Sequence, residues 1–223
     1  MKKAVLFDMD GLMLETKLTW EIAEKAFLAH FGKTYSRDIA KRYQGMRVSG
    51  VVSVMIAGYQ LPLTVEHGVQ MLTQSIVDNY QRPDLKLLPG CKELVDQLRS
   101  SGEYRLAVAS SSPKAAIEAM IRKLNFTGYF DELTSGDEVQ EGKPAPDIFL
   151  ECANRLCVSP GNCLVLEDAP NGIEAAKRAG MKAIAVYNRR FFSPEDFKDY
   201  NADLIVASLN DLSLPIIDKV FRS

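Results

Sequence analysis

With 223 residues, 47% of them hydrophobic and 25% charged, the chain can build a full core and lacks the bias of a disordered segment. A net charge of −2 gives no electrostatic footprint for nucleic acid or anionic membrane, and no apolar run reaches the ~20 residues of a membrane helix. Two histidines, His30 and His67, argue against a histidine-ligated metal site or a Ser/His/Asp triad. The four cysteines (Cys91, Cys152, Cys157, Cys163) lack Cys-x-x-Cys spacing and read as reduced thiols. With no cleavable leader legible before the first apolar run, the expectation is a cytoplasmic monomer.

In chain order, Ala4-Val5-Leu6-Phe7 reads as a short buried strand, followed at once by Asp8-Met9-Asp10-Gly11. If the strand continues, the two carboxylates share a face and repel unless a cation or proton intervenes. Taken alone, the stretch reads equally as an acidic surface turn closed by glycine. Helical spacing follows over 19–31 (Trp20, Ala23, Phe27, Phe31), then 37–42, 48–59 and 64–80, with Thr64 as an N-cap. No strand pattern interrupts 15–82, so that block is expected to be an all-helical insertion into a domain made of 1–14 and 83–223.

From Leu88-Pro89-Gly90 onward strand and helix alternate. A helix spans 91–100 and a strand 104–109. Ser112-Pro113 opens the next helix, with the serine as cap. A strand near Leu133, a helix from Pro146, a strand at 163–166, a helix from Pro170 and strands at 183–187 and 204–206 complete the pattern. Apolar strands alternating with helices mean a parallel sheet covered on both faces: an α/β, Rossmann-like core with an inserted helical cap.

In such a sheet the carboxyl ends of all strands meet at one edge, where ligands bind. That edge receives Asp8 and Asp10, then Ser110-Ser111-Ser112, then Glu167-Asp168. Lys143 lies in the braced loop Glu141-Gly142-Lys143-Pro144. Carboxylates at this density suit a hard divalent cation, Mg²⁺ above others. Hydroxyls and N–H groups at a helix start, with an ammonium nearby, suit phosphate. Together they point to phosphoryl transfer, with one carboxylate able to act as nucleophile and the other as acid and base. Each member has a plainer reading: Ser112 as a helix cap, Lys143 as a surface lysine, Glu167-Asp168 as acidic residues favoured near a helix start. Their joint arrival at one edge outweighs those readings.

These segments resemble, in order, the four motifs of the haloacid dehalogenase-like hydrolase superfamily. The runs 142–149 and 167–172 are similar to its branch of sugar-phosphate phosphatases, β-phosphoglucomutases and pseudouridine-5′-phosphatases. The resemblance implies that Asp8 attacks phosphorus and ligates Mg²⁺. It implies that Asp10 protonates the leaving alcohol and then deprotonates water, with its backbone carbonyl on the metal. Ser110, Ser111 and Lys143 would hold the phosphoryl group, and Asp168 would ligate Mg²⁺ with Glu167 as ligand or support. The implied substrate is a small phosphorylated metabolite, a sugar phosphate or nucleoside monophosphate, read by Trp20, Gln44 and Arg47 of the cap.

Asp10 favours phosphate esters, since dehalogenases and phosphonatases of the superfamily lack an aspartate there. The mutases carry a histidine where this chain has Trp20 and a cap lysine near Gln74-Ser75-Ile76, which leaves mutase as the alternative. A phospho-receiver module is a more remote one, having neither a partner like Asp10 nor a cap. Glu15 stands where many relatives have aspartate or asparagine.

Overall fold

Strand β1 (Lys3–Phe7) lies inside a six-stranded sheet, paired in parallel with β2 (Tyr104–Ser110) on one side and β4 (Cys163–Glu167) on the other. Strands β3 (Glu132–Ser135), β5 (Lys182–Val186) and β6 (Leu204–Val206) extend it to the order β3-β2-β1-β4-β5-β6, every pair parallel. The computed structural model describes all residues except 1, 41, 44, 45, 83, 84, 188, 190 and 191, and only the backbone of Lys17 and Leu18.

Side chains alternate between the two faces of the sheet, and the two faces differ in bulk. Val5, Phe7, Leu106, Val108, Leu164, Leu166 and Ile184 pack against α5 (Cys91–Ser101), α6 (Lys114–Lys123) and α9 (Leu214–Arg222). Ala4, Leu6, Ala107, Ala109, Val165, Ala183 and Ala185 face the other way, and this smaller-residue surface receives α7 (Asp147–Leu156) and α8 (Pro170–Arg178). Each fully buried aliphatic or aromatic side chain contributes ~1.5–3 kcal/mol. A core of this size can carry the buried charges at its rim.

Among the described residues between β1 and α5 lie the helices α1 (Lys17–Ala29), α2 (Arg37–Ala40), α3 (Val48–Tyr59) and α4 (Val65–Tyr80). Helices α1 and α3 both pack on α4, and α4 reaches α6 of the sheet domain. Their apolar sides merge with the bulkier core, so the helical cap is continuous with one face of the sheet. The two connections to the cap run side by side: Leu14 bridges to Leu87, and the Leu88 N–H donates to the Met13 carbonyl at 2.8 Å. Pro83, where the second connection was expected to begin, lies outside the described residues. Among the described residues no helix is long and apolar enough to cross a membrane.

Local signals account for most of the elements. Thr64 caps α4 by accepting from the His67 N–H at 3.3 Å, and Pro170 is the first residue of α8. Three expectations are corrected. Helix α2 stops at Ala40 rather than 42. Helix α6 begins at Lys114 with Pro113 at its N-cap and no side-chain cap, so the Ser112 hydroxyl is not used there. Helix α9 was not anticipated, although Ser213-Leu214-Pro215 followed by Ile217, Val220 and Phe221 carries a start signal and helical spacing.

Candidate active site

Because β1 stops at Phe7, Asp8 and Asp10 lie beyond the strand rather than on a shared face of it, and they bond separate partners. The Asp8 N–H donates to the Leu166 carbonyl at 3.0 Å, which ties the loop after β1 to the end of β4. Two glycines let the loops close in. At Gly11, with φ +93°, a Cβ would lie 2.3 Å from Asp168 Oδ2; at Gly172 it would lie 1.7 Å from Glu167 Oε1. Any larger residue at either position would push a carboxylate out of the rim.

Lys143, only 4% exposed, places its ammonium 2.6 Å from Asp8 Oδ1 and 3.3 Å from Glu167 Oε1. It also donates to the Ala109 carbonyl at 3.4 Å and sits 4.9 Å above the Phe149 ring. Asp8, Glu167 and Asp168 each offer an oxygen within 4.8 Å of one another, and all three are buried. When ionised, three carboxylates against one ammonium leave two negative charges in a low-dielectric rim. Burial pushes Asp8 up to about 7; the charge of Glu167 adds to this and Lys143 opposes it. Burial also raises Glu167, opposed by Lys143 and reinforced by Asp168. For Lys143, burial works against the charge, but Asp8 and Glu167 outweigh it and hold the ammonium above the ordinary lysine range. An all-oxygen donor set with a deficit of two positive charges fits a hard divalent cation such as Mg²⁺.

The Asp10 carboxyl faces a different group of donors. Its Oδ1 accepts from Trp20 Nε1 at 3.3 Å and from the Tyr80 hydroxyl. Its Oδ2 accepts from Ser110 Oγ at 3.1 Å and Ser112 Oγ at 2.6 Å. Trp20 Nε1 also lies 3.1 Å from the Tyr80 oxygen. Tyr80 is fully buried, and burial together with Asp10 holds its phenol well above the usual range, so it stays a donor.

The rim thus brings together Asp8, Asp10, Ser110, Lys143, Glu167 and Asp168, from segments up to 160 positions apart in the chain. Ser111 is half-buried just past β2, and Gln44 lies outside the described residues. Arg47, at the start of α3, donates from Nη1 to the Val139 carbonyl at 2.8 Å and so ties the cap to the loop that carries Lys143. The sequence reading brought Ser112 to this edge but missed its partner, and it missed Tyr80 altogether. Ser112 serves Asp10 instead of capping α6. Tyr80 continues the apolar stripe Leu72-Ile76-Tyr80 on α4, and nothing in that pattern separates it from a core aromatic.

A sequence model of haloacid dehalogenase-like hydrolases matches residues 5–186, which include every residue of this rim. The chain belongs to that family. A protein of Drosophila melanogaster described as a probable pseudouridine-5′-phosphatase is 34% identical over 214 residues, covering 92% of this chain and 89% of its own length. The fructose-1-phosphate phosphatase YqaB of Escherichia coli is 35% identical over 183 residues, covering 82% of this chain and 95% of its own. Among solved structures, CbbY from Rhodobacter sphaeroides in complex with phosphate matches with a TM-score of 0.88 at 28% identity, across 98% of this chain and 100% of that one. The six-stranded parallel sheet with its helical cap is therefore the fold of this family.

Proposed function

We propose that this enzyme hydrolyses phosphate monoesters of small metabolites, sugar phosphates or nucleoside monophosphates, through a phosphoryl group carried on Asp8. As a phosphoric monoester hydrolase of the haloacid dehalogenase-like family, it needs a nucleophile, an acid and base, and a counter-charge. The observation that carries the reading is Asp8 held 2.6 Å from the Lys143 ammonium, beside Glu167 and Asp168 and next to Asp10.

An oxygen of Asp8 attacks phosphorus, and the bond between phosphorus and the ester oxygen breaks with its electron pair going to that ester oxygen, which takes a proton from Asp10 and leaves as the alcohol. Water then attacks the phosphoryl group and gives a proton back to Asp10, and the bond to Asp8 breaks. Lys143, with Ser110 and Ser111, neutralises and orients the group in transit. Asp8, Glu167 and Asp168, with the main-chain carbonyl of Asp10, would hold Mg²⁺. When bound, the ion supplies the positive charge that lets an anionic nucleophile and an anionic phosphoryl group approach each other. The cap, about 15–82, covers the rim and excludes bulk water, with Gln44 and Arg47 as residues that read the leaving group, while Trp20, also expected there, has its N–H on Asp10 and Tyr80.

The substrate class is supported by relatives named for fructose 1-phosphate and pseudouridine 5′-phosphate. Hydrolysis is favoured over mutase chemistry because Trp20 stands where the mutases carry a histidine. The test is phosphate release from a panel of sugar phosphates and nucleoside monophosphates with Mg²⁺, repeated with Asp8→Asn. The variant is expected to lose turnover while keeping its fold; a wild-type rate would remove Asp8 as nucleophile. Conversion of β-glucose 1-phosphate to the 6-phosphate without phosphate release would instead indicate a mutase.

A further inference from the structure

We propose that Tyr80 and Trp20 of the cap fix Oδ1 of Asp10 as a pivot, leaving Oδ2 as the oxygen that gives and takes the proton. The proposal rests on the reading of Asp10 as acid and base. An ionised carboxylate offers about four lone-pair sites, and Asp10 has four donors on it. They divide by origin. Both donors on Oδ1 come from cap helices, α1 and α4, whereas both donors on Oδ2, Ser110 and Ser112, come from the segment at the end of β2. That segment is the proposed phosphate cradle. A phosphoryl group drawing the Ser110 hydroxyl to itself opens one of the two donor positions on Oδ2 toward the leaving oxygen, with Ser112 still on the other, and leaves Oδ1 clamped.

Tyr80 is built for holding still. Its side chain is fully buried, and its carbonyl accepts from Lys123 Nζ of α6 at 2.8 Å. The residue is therefore fixed at both its backbone and its hydroxyl. In this role Tyr80 and Trp20 are positioning residues: they act through Asp10.

The test compares kcat/KM for an alkyl phosphate, whose poor leaving group needs a proton, with that for p-nitrophenyl phosphate, whose leaving group needs little. General acid catalysis is worth ~10²–10⁴-fold. Tyr80→Phe, which removes only the hydroxyl, is expected to lower the alkyl-ester value at least ~10-fold more than the nitrophenyl value, through kcat rather than KM. Asp10→Asn should show the same selectivity more strongly. Trp20 is the chain's single tryptophan, so its emission should also shift in Tyr80→Phe, reporting the loss of its hydroxyl partner.

If Asp10→Asn is selective and Tyr80→Phe lowers both esters equally, the pivot is overturned and the phosphatase reading stands. If Asp10→Asn is not selective, the role of Asp10 itself falls. Should Tyr80→Phe lose cooperative melting, Trp20→Phe decides by the same ratio: selective loss supports the pivot, and equal loss overturns it.

Discussion

Glu24 offers the cleanest measurement of how much charge this fold buries. It sits one turn after Trp20 on α1, 5% exposed, with Oε2 accepting from the Tyr43 hydroxyl at 3.0 Å. Burial pushes it from 4.5 up to about 7, against the Tyr43 hydrogen bond and with some help from Glu21. The folded chain therefore keeps this proton to a higher pH than the unfolded chain does. The associated stability is fully present below about 4.5 and is lost as pH rises through about 7. At 1.36 kcal/mol per unit the full effect is ~3 kcal/mol, of which about 2–3 kcal/mol falls between pH 5 and 8. Glu24→Gln keeps the volume and an acceptor for Tyr43 but cannot ionise. In urea unfolding, its stability relative to wild type should rise by that amount between pH 5 and pH 8, or roughly 5–10 °C in Tm for a chain of this size. Asp8 titrates over the same window but is common to both proteins and cancels in the difference. A difference that stays constant from pH 5 to 8 would refute the reasoning, because Glu24 would then be ionising as an ordinary solvated carboxylate.

Three further outcomes follow from the rim. Lys143→Met removes the ammonium from Asp8 and Glu167 and should cost ~3–5 kcal/mol at pH 8 without Mg²⁺, measured by urea denaturation. The cost should be smaller at pH 5, where Asp8 is protonated; equal costs would mean the pair is not electrostatic. Gly172→Ala directs a methyl at Glu167 and should weaken Mg²⁺ binding at least ~10-fold by calorimetry, with helix content unchanged. Unaltered affinity would take Glu167 out of the cation site. Mg²⁺ binding near pH 6.5 should release up to about one proton, seen as a buffer-dependent heat, because Asp8 must ionise to ligate. A heat independent of buffer would contradict the raised Asp8.

The sheet was legible because its strands are apolar, short and bounded, and the rim was legible because a parallel sheet sends every strand's end to one edge. Asp8, Ser110, Lys143 and Glu167-Asp168 needed no contact information to be grouped; the topology did that. What could not be read was direction. Ser112 before Pro113 has the sequence of a helix cap, yet its hydroxyl points to Asp10, since α6 starts after the proline and the serine is left free for the rim. Tyr80 was hidden for the opposite reason: a tyrosine at i, i+4, i+8 with Leu72 and Ile76 satisfies the core pattern completely, and only the three-dimensional path of α4 brings its hydroxyl to Asp10. Close approach was equally invisible. Gly172 reads as an ordinary residue in the first turn of α8, although its missing side chain makes room for Glu167.

The order of effects on Asp8 explains why one lysine does not suffice. Lys143 lies at 2.6 Å, about as close as an ammonium can come, yet Asp8 is still pushed up to about 7. Burial is the largest cause and the charge of Glu167 the second, and the charge and hydrogen bond of Lys143, which pull the other way, do not offset them. The attack proposed for Asp8 needs it unprotonated, whereas the rim with Lys143 alone favours its protonated form. The remedy has to act on the second cause, since the first is fixed by the fold. A cation shared by Asp8, Glu167 and Asp168 cancels the repulsion that Glu167 exerts on Asp8 and adds an attraction of its own. The carboxylates that raise Asp8 without a cation would thus be the ones that release its proton with one. On the proposed mechanism, catalysis would be tied to metal occupancy through charge, and burial is what would make the coupling strong. On the surface, solvent screening would leave Asp8 ionised in either state, and the link would be lost.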